Sequence, residues 1–175
     1  MIIKDKNIIL RKLQSEDKHA IAKLADNVNI SRNLRDAFPN PYTLEDAENF
    51  IKIFKDKTDA HVFGIFIDEE YCGNIGLHHG TDVYSRSSEI GYFIGEEFWN
   101  QGIATRAVKL ITKFGFEELD IVRIYAGVFE YNFASMKVLE KCGYKKEAIL
   151  KKAVFKNGLL YDEHRYASIN PRYDL

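Results

Sequence analysis

The segment Glu89–Val108, EIGYFIGEEFWNQGIATRAV, runs from strand-type residues into a short loop with Gly102 and straight on into helix-forming residues. Such a junction binds anions. The first N–H groups of a helix lack carbonyl partners within it, and the positive end of the helix dipole adds to their pull. Gly102 has no Cβ, so its backbone can come close to a phosphate oxygen. The common nucleotide loops do not fit: no GxxxxGK[ST] brings a lysine to a terminal phosphate, and no GxGxxG follows an early strand. Metal chemistry does not fit either. Adjacent strand residues such as His78 and His79 point to opposite faces, and no other histidine or cysteine stands at ligand spacing.

Elements on both sides must hold this junction. Asn7–Lys12 reads as a first strand, and Ser15 as the N-cap of a helix running to about Asn27. After an irregular stretch with two of the three prolines, Thr43 and Asp46 resemble a capping box. Leu44, Ala47, Phe50, Ile51 and Phe54 then give that second helix one apolar face. His61–Ile67, Cys72–His78 and Ser88–Gly95 read as an antiparallel meander. Ala104, Ala107, Val108, Ile111 and Leu119 line one side of the helix opened at Gly102. Arg123–Phe129 is a further strand, and Asn132 caps a short helix, Phe133–Cys142, which Gly143 closes. Asn157-Gly158 between two extended runs marks a hairpin. The order β-α-α-β-β-β-α-β-α-β-β predicts an α+β, or mixed α/β, layout around one sheet.

The loop WNQGIA, Trp99–Ala104, resembles the acetyl-CoA-binding motif [QR]xxGx[GA] of the GNAT acetyltransferase superfamily. Its first position is Trp99 rather than Gln or Arg, which is typical of the Rim-type branch, named for ribosomal-protein N-terminal acetylation. NLRDAFPNPYTLEDAENFI at Asn33–Ile51, EIGYFI at Glu89–Ile94 and NFASMKVLEKCGY at Asn132–Tyr144 are similar to the same branch. The resemblance covers nearly the whole chain. It implies a single GNAT domain over residues 1–175, with a twisted, mostly antiparallel mixed sheet splayed near its middle and helices on both faces.

The resemblance also implies roles. Main-chain groups of Tyr92, Phe93 and Ile94 would pair with the pantetheine arm of acetyl-CoA as an added strand does, one N–H polarising the thioester carbonyl. Gln101, Gly102, Ile103, Ala104, Thr105 and Arg106 would wrap the pyrophosphate; the plainer account of Arg106 is a solvated helix arginine. Asn132 would contact the cofactor arm besides capping its helix. Ser135 would protonate the departing thiolate, against the plainer account of a serine satisfying its own backbone. Glu89 would be the base, its pKa raised by burial, with Asp162, Glu163 and His164 in reserve. Arg35, Phe38, Pro39 and Tyr42 would border the acceptor.

The implied activity is acetyl transfer to a primary amine, a peptide or protein N-terminal α-amine. The rivals are a polyamine or small-molecule amine acetyltransferase and a non-catalytic acetyl-CoA-binding module. A net charge of -1 argues against a general nucleic-acid binder. The two separated cysteines read as reduced residues of a cytoplasmic protein, and no apolar run reaches membrane-spanning length. A homodimer is compatible with this reading.

Overall fold

Period-2 alternation at Ile8–Arg11 sends Ile8 and Leu10 into the interior, both at 0% exposure, and leaves Ile9 and Arg11 half-buried on the opposite face. The same division between two faces organises the whole sheet. The computed structural model describes residues 1–173, with Asp174 and Leu175 outside the described residues. Along the chain come β1 (Ile2–Asp5), β2 (Ile8–Arg11), α1 (Lys18–Ala25), α2 (Val28–Ser31), α3 (Leu44–Lys55), β3 (Ala60–Ile67), β4 (Glu70–His79) and β5 (Ser87–Ile94). They are followed by α4 (Ile103–Glu118), β6 (Arg123–Phe129), α5 (Phe133–Lys141), β7 (Lys145–Lys156) and β8 (Leu159–Ile169). The strands form one sheet in the order β1-β2-β3-β4-β5-β6-β8-β7. Every pairing is antiparallel except that of β5 with β6.

Helices cover both faces. On one, Ile103, Ala107, Val108 and Ile111 of α4 and Met136 and Leu139 of α5 meet Phe63, Ile75, Leu77, Ile90 and Ile124 of the strands. On the other, Ile21 and Ala25 of α1 and Ala47 and Ile51 of α3 pack with Tyr42, Phe66 and Tyr71. Phe63 is 0% exposed and edges against Phe114 of α4. Its truncation to alanine is expected to cost about 3–5 kcal/mol in urea unfolding, as large-to-small changes of buried aromatics do. None of the described helices is long and apolar enough to cross a membrane.

Several local expectations need correction. The chain begins with a strand pair rather than a single strand: β1 is a four-residue edge strand whose exposed side chains give no periodic signal. Ser15 does not cap a helix. Ser15–Asp17 forms one 3-10 turn ahead of α1, and the Asp17 carboxylate accepts from the Gln14 N–H at 2.7 Å while pairing with Arg11. Helix α1 stops at Ala25, and α2 lies inside the stretch read as irregular, capped by Asn27 accepting from the Asn29 N–H. The Thr43–Asp46 capping box is present, the Asn132 cap accepts from the Ser135 N–H, and Asn157 and Gly158 both have positive φ at the β7–β8 turn. That last hairpin is not appended at the edge in sequence order: β8 inserts between β6 and β7.

Candidate active site

The parallel pairing of β5 and β6 covers only Ser87–Glu89 against Arg123–Tyr125. Beyond Glu89 the two strands part, so the sheet opens between its fifth and sixth strands. Gly91 is exposed although it sits mid-strand, and a Cβ there would meet nothing within 4 Å. The phase of the β4–β5 ladder decides which main-chain groups face the opening. Gly80 N–H bonds to Ser87 O and Gly95 N–H to Cys72 O, both at 2.8 Å, at the two ends of an unbroken register. Alternation then commits the main chain of Glu89, Gly91 and Phe93 to β4 and turns that of Tyr92 and Ile94 outward. Phe93 therefore does not offer its backbone to the opening, contrary to the expectation. The Ile94 carbonyl accepts from the Trp99 indole N–H at 2.8 Å. The N–H and carbonyl of Tyr92 and the N–H of Ile94 are left without a strand partner.

From the end of β5 the chain passes through one 3-10 turn, Glu96–Phe98, to Trp99 and Gly102. Gly102 is the N-cap of α4 with φ 73, a left-handed conformation that favours glycine, and a Cβ on it would project into open space. Among the described residues no side chain caps this helix, and the N–H groups of Ile103, Ala104 and Thr105 have no partner within it. The Arg106 N–H is already bonded to the Gly102 carbonyl, and its guanidinium reaches Asn7 Oδ1 at 2.8 Å. The Arg106 side chain thus braces α4 against the β1–β2 turn instead of reaching toward the first turn of its own helix, contrary to the expectation. The Gln101 side chain donates to the Glu97 carbonyl.

Across the opening, Asn132 holds the first turn of α5, and Ser135 Oγ lies 2.8 Å from Tyr92 Oη. The Tyr92 side chain is the group missed in the sequence. The family resemblance speaks only to its backbone, although alternation along β5 turns residues 90, 92 and 94 toward one face. Burial pushes the Tyr92 phenol above its ordinary value, with the Ser135 hydrogen bond acting the other way. Tyr144 is spent elsewhere, on Thr112 at 2.7 Å.

The opposite face carries the rest. Glu89 is ion-paired to Arg35; its side chain is 24% exposed and that of Arg35 73%. Glu89 therefore has a counter-charge instead of standing alone in an apolar setting. Phe38 meets Phe93 edge to face at 5.5 Å and lies tilted against Tyr42 at 4.9 Å. Tyr42 itself is 6% exposed, and burial pushes its phenol up to about 12, so it backs Phe38 instead of lining a surface. The residue 32–38 segment is tied down at three points: Tyr131 Oη donates to the Arg32 carbonyl at 2.5 Å, Arg35 meets Glu89, and Asp36 meets Lys156 at 2.7 Å. The reserve residues are engaged as well: Asp162 by Lys151 and the Lys152 N–H, Glu163 by Arg165. His164 has a buried Nδ1 with no partner among the described residues. His78 and His79 do take opposite faces, the first against Phe54, the second 2.7 Å from His61.

Comparisons with known proteins give the family. The profile described as Acetyltransferase (GNAT) domain matches residues 7–145. The chain belongs to the GNAT acetyltransferase family. It is an N-acetyltransferase. The uncharacterized N-acetyltransferase YoaA of Bacillus subtilis (strain 168) is 31% identical over 98% of each chain. The probable N-acetyltransferase YjcK of the same organism is 32% identical over 97% of this chain and 98% of its own. The spermidine N(1)-acetyltransferase of Escherichia coli (strain K12) is 29% identical over 87% and 80%. Among solved structures, a GNAT-family acetyltransferase from Bacillus anthracis has a TM-score of 0.86 at 26% identity, covering 97% of this chain and 99% of its own. The ribosomal L7/L12 alpha-N-protein acetyltransferase RimL, in complex with coenzyme A, has a TM-score of 0.87 at 22% identity, covering 97% and 98%. The RimL likeness is one of fold.

Proposed function

We propose that residues 1–175 form one cytoplasmic N-acetyltransferase domain that carries acetyl groups from acetyl-CoA to peptide or protein N-terminal α-amines. The observation that carries this reading is the opening between β5 and β6, bordered by the unpaired main chain of Tyr92 and Ile94 and by the Ser135 hydroxyl. Acetyl-CoA fits what the chain offers: a cradle at Gly102 that a side chain would fill, three free N–H groups at Ile103–Thr105 for a pyrophosphate, and a strand edge for an amide-bearing arm. It supplies the activated acetyl group. Tyr92 and Ile94 orient it, Ser135 protonates the leaving sulfur, and Glu89 accepts the proton of the attacking amine once Arg35 yields. Asn132 holds Ser135 in place.

The α-amine is favoured over a polyamine by the state of the carboxylates. Glu89, Asp36, Glu147, Asp162 and Glu163 each already hold an arginine or lysine, so a polycation would have to displace those partners. An α-amine also deprotonates more easily, with a pKa about 8 against about 10.4 for lysine. The likeness to a spermidine acetyltransferase gives the competing reading. The test compares kcat/KM for short peptides with free Ala or Ser N-termini, blocked peptides with an internal lysine, and spermidine. The free N-termini are expected to win; an advantage of roughly tenfold, about 1.4 kcal/mol, for either rival overturns the assignment.

A further inference from the structure

A serine alone is a poor final source of a proton for a thiolate. A thiol has a pKa of about 8.5, and an aliphatic hydroxyl is a much weaker acid, so an isolated serine would be left as an alkoxide more basic than the sulfur it neutralised. A phenol is about 10 when free and higher when buried as Tyr92 is, and it is still a stronger acid than an aliphatic hydroxyl, so it narrows that mismatch. In this chain a phenol stands behind the serine. Tyr92 Oη is 2.8 Å from Ser135 Oγ and 3.4 Å from the Ser135 carbonyl, while the Ser135 N–H is held by Asn132 Oδ1 at 3.2 Å. The hydroxyl pair thus joins β5 to the first turn of α5 across the opening.

Resting on the acetyl-transfer reading, we propose that Tyr92 supplies, through Ser135, the proton that the departing thiolate takes up. As the carbon–sulfur bond breaks, its electron pair goes to sulfur. The Ser135 hydroxyl forms an S–H bond with its own proton and takes the Tyr92 proton in exchange. Serine ends neutral, the negative charge rests on the Tyr92 oxygen, and water restores the phenol after product leaves. The nitrogen proton of the acceptor departs separately, to Glu89 or water, and nothing is oxidised or reduced. A phenol is protonated at neutral pH and burial raises Tyr92 further, so it waits as a donor and the phenolate is short-lived. Cys142 and Tyr144, both held above their ordinary values by burial, are the other titratable groups facing it.

The experiment uses Tyr92→Phe, Ser135→Ala and the double variant, each checked for unchanged melting temperature and coenzyme A affinity. Tyr92→Phe is expected to lower kcat by about 10- to 100-fold with little change in the KM for acetyl-CoA. The double variant is expected to be no slower than Ser135→Ala, because the two groups work as one unit. A second readout needs no turnover. With 3-fluorotyrosine at position 92, the fluorine resonance should move when coenzyme A is added, and Ser135→Ala should abolish that movement. The more acidic fluorophenol should also restore kcat relative to Tyr92→Phe and lower the alkaline limb of its pH profile. Wild-type kcat in Tyr92→Phe, or losses that multiply in the double variant, would overturn the relay while leaving acetyl transfer intact. Absence of thiol release from the wild-type protein with every amine would overturn both.

Discussion

Gly102→Val is expected to abolish measurable acetyl-CoA binding in calorimetry while the protein stays folded. Two physical effects coincide at this residue. Its φ of 73 is left-handed, which costs a non-glycine residue about 1–2 kcal/mol and a β-branched one at the upper end. Relaxing that strain would turn the N–H groups of Ile103–Thr105 away from a common target. The branched side chain would also enter the space beside them, where a Cβ now meets nothing within 4 Å. The strain is small beside a typical stability of about 5–15 kcal/mol, so loss of binding need not mean loss of fold. Gly102→Ala carries the strain with only a methyl group and should bind more weakly than wild type but more tightly than the valine variant. Unchanged affinity in folded Gly102→Val would overturn the placement of the pyrophosphate.

Ser135→Ala should lower kcat by roughly 10²–10⁴-fold with little change in acetyl-CoA affinity, the usual worth of a general acid. The hydroxyl is needed as sulfur departs, so its loss falls on the transition state rather than on binding. The Ser135 N–H to Asn132 Oδ1 survives in alanine, so the substitution removes the hydroxyl and its bond to Tyr92 Oη while the first turn of α5 stays capped. Rapid-mixing measurement of thiol release separates the chemical step from product release. Wild-type kcat in a folded variant would remove Ser135 from the reaction.

What the sequence disclosed depended on how local each signal was. The Thr43–Asp46 box, the Asn132 cap and the Asn157-Gly158 turn are each set within a few residues, and all three are present. The left-handed glycine at the start of α4 was legible for the same reason, since Gly102 is followed directly by its helix. Short edge elements were not: β1 and α2 are four residues each and bury too little to impose a period. Facing relations between distant segments were also out of reach. That Arg35 would neutralise Glu89, that Phe38 would meet Phe93, and that Arg106 would turn toward Asn7 depend on partners as far as 99 residues away. The outward turn of Tyr92 and the inward turn of Phe93 needed the ladder phase, which a strand assignment alone does not fix.

Lys156 is 7% exposed, and its ammonium rests on Asp36, 120 positions earlier in the chain. This fastens the residue 32–38 segment to the far end of the β7–β8 hairpin, and Tyr131, which holds the Arg32 carbonyl, packs edge-on against Tyr161 of β8. The two pieces therefore form a single mechanical part. Anyone grafting a relative's acceptor preference onto this scaffold by exchanging residues 32–42 alone would leave a buried lysine facing whatever the new loop presents at position 36. A buried ammonium stripped of its carboxylate is costly. Loop and hairpin should be transplanted together, as one cassette drawn from two distant stretches of the gene.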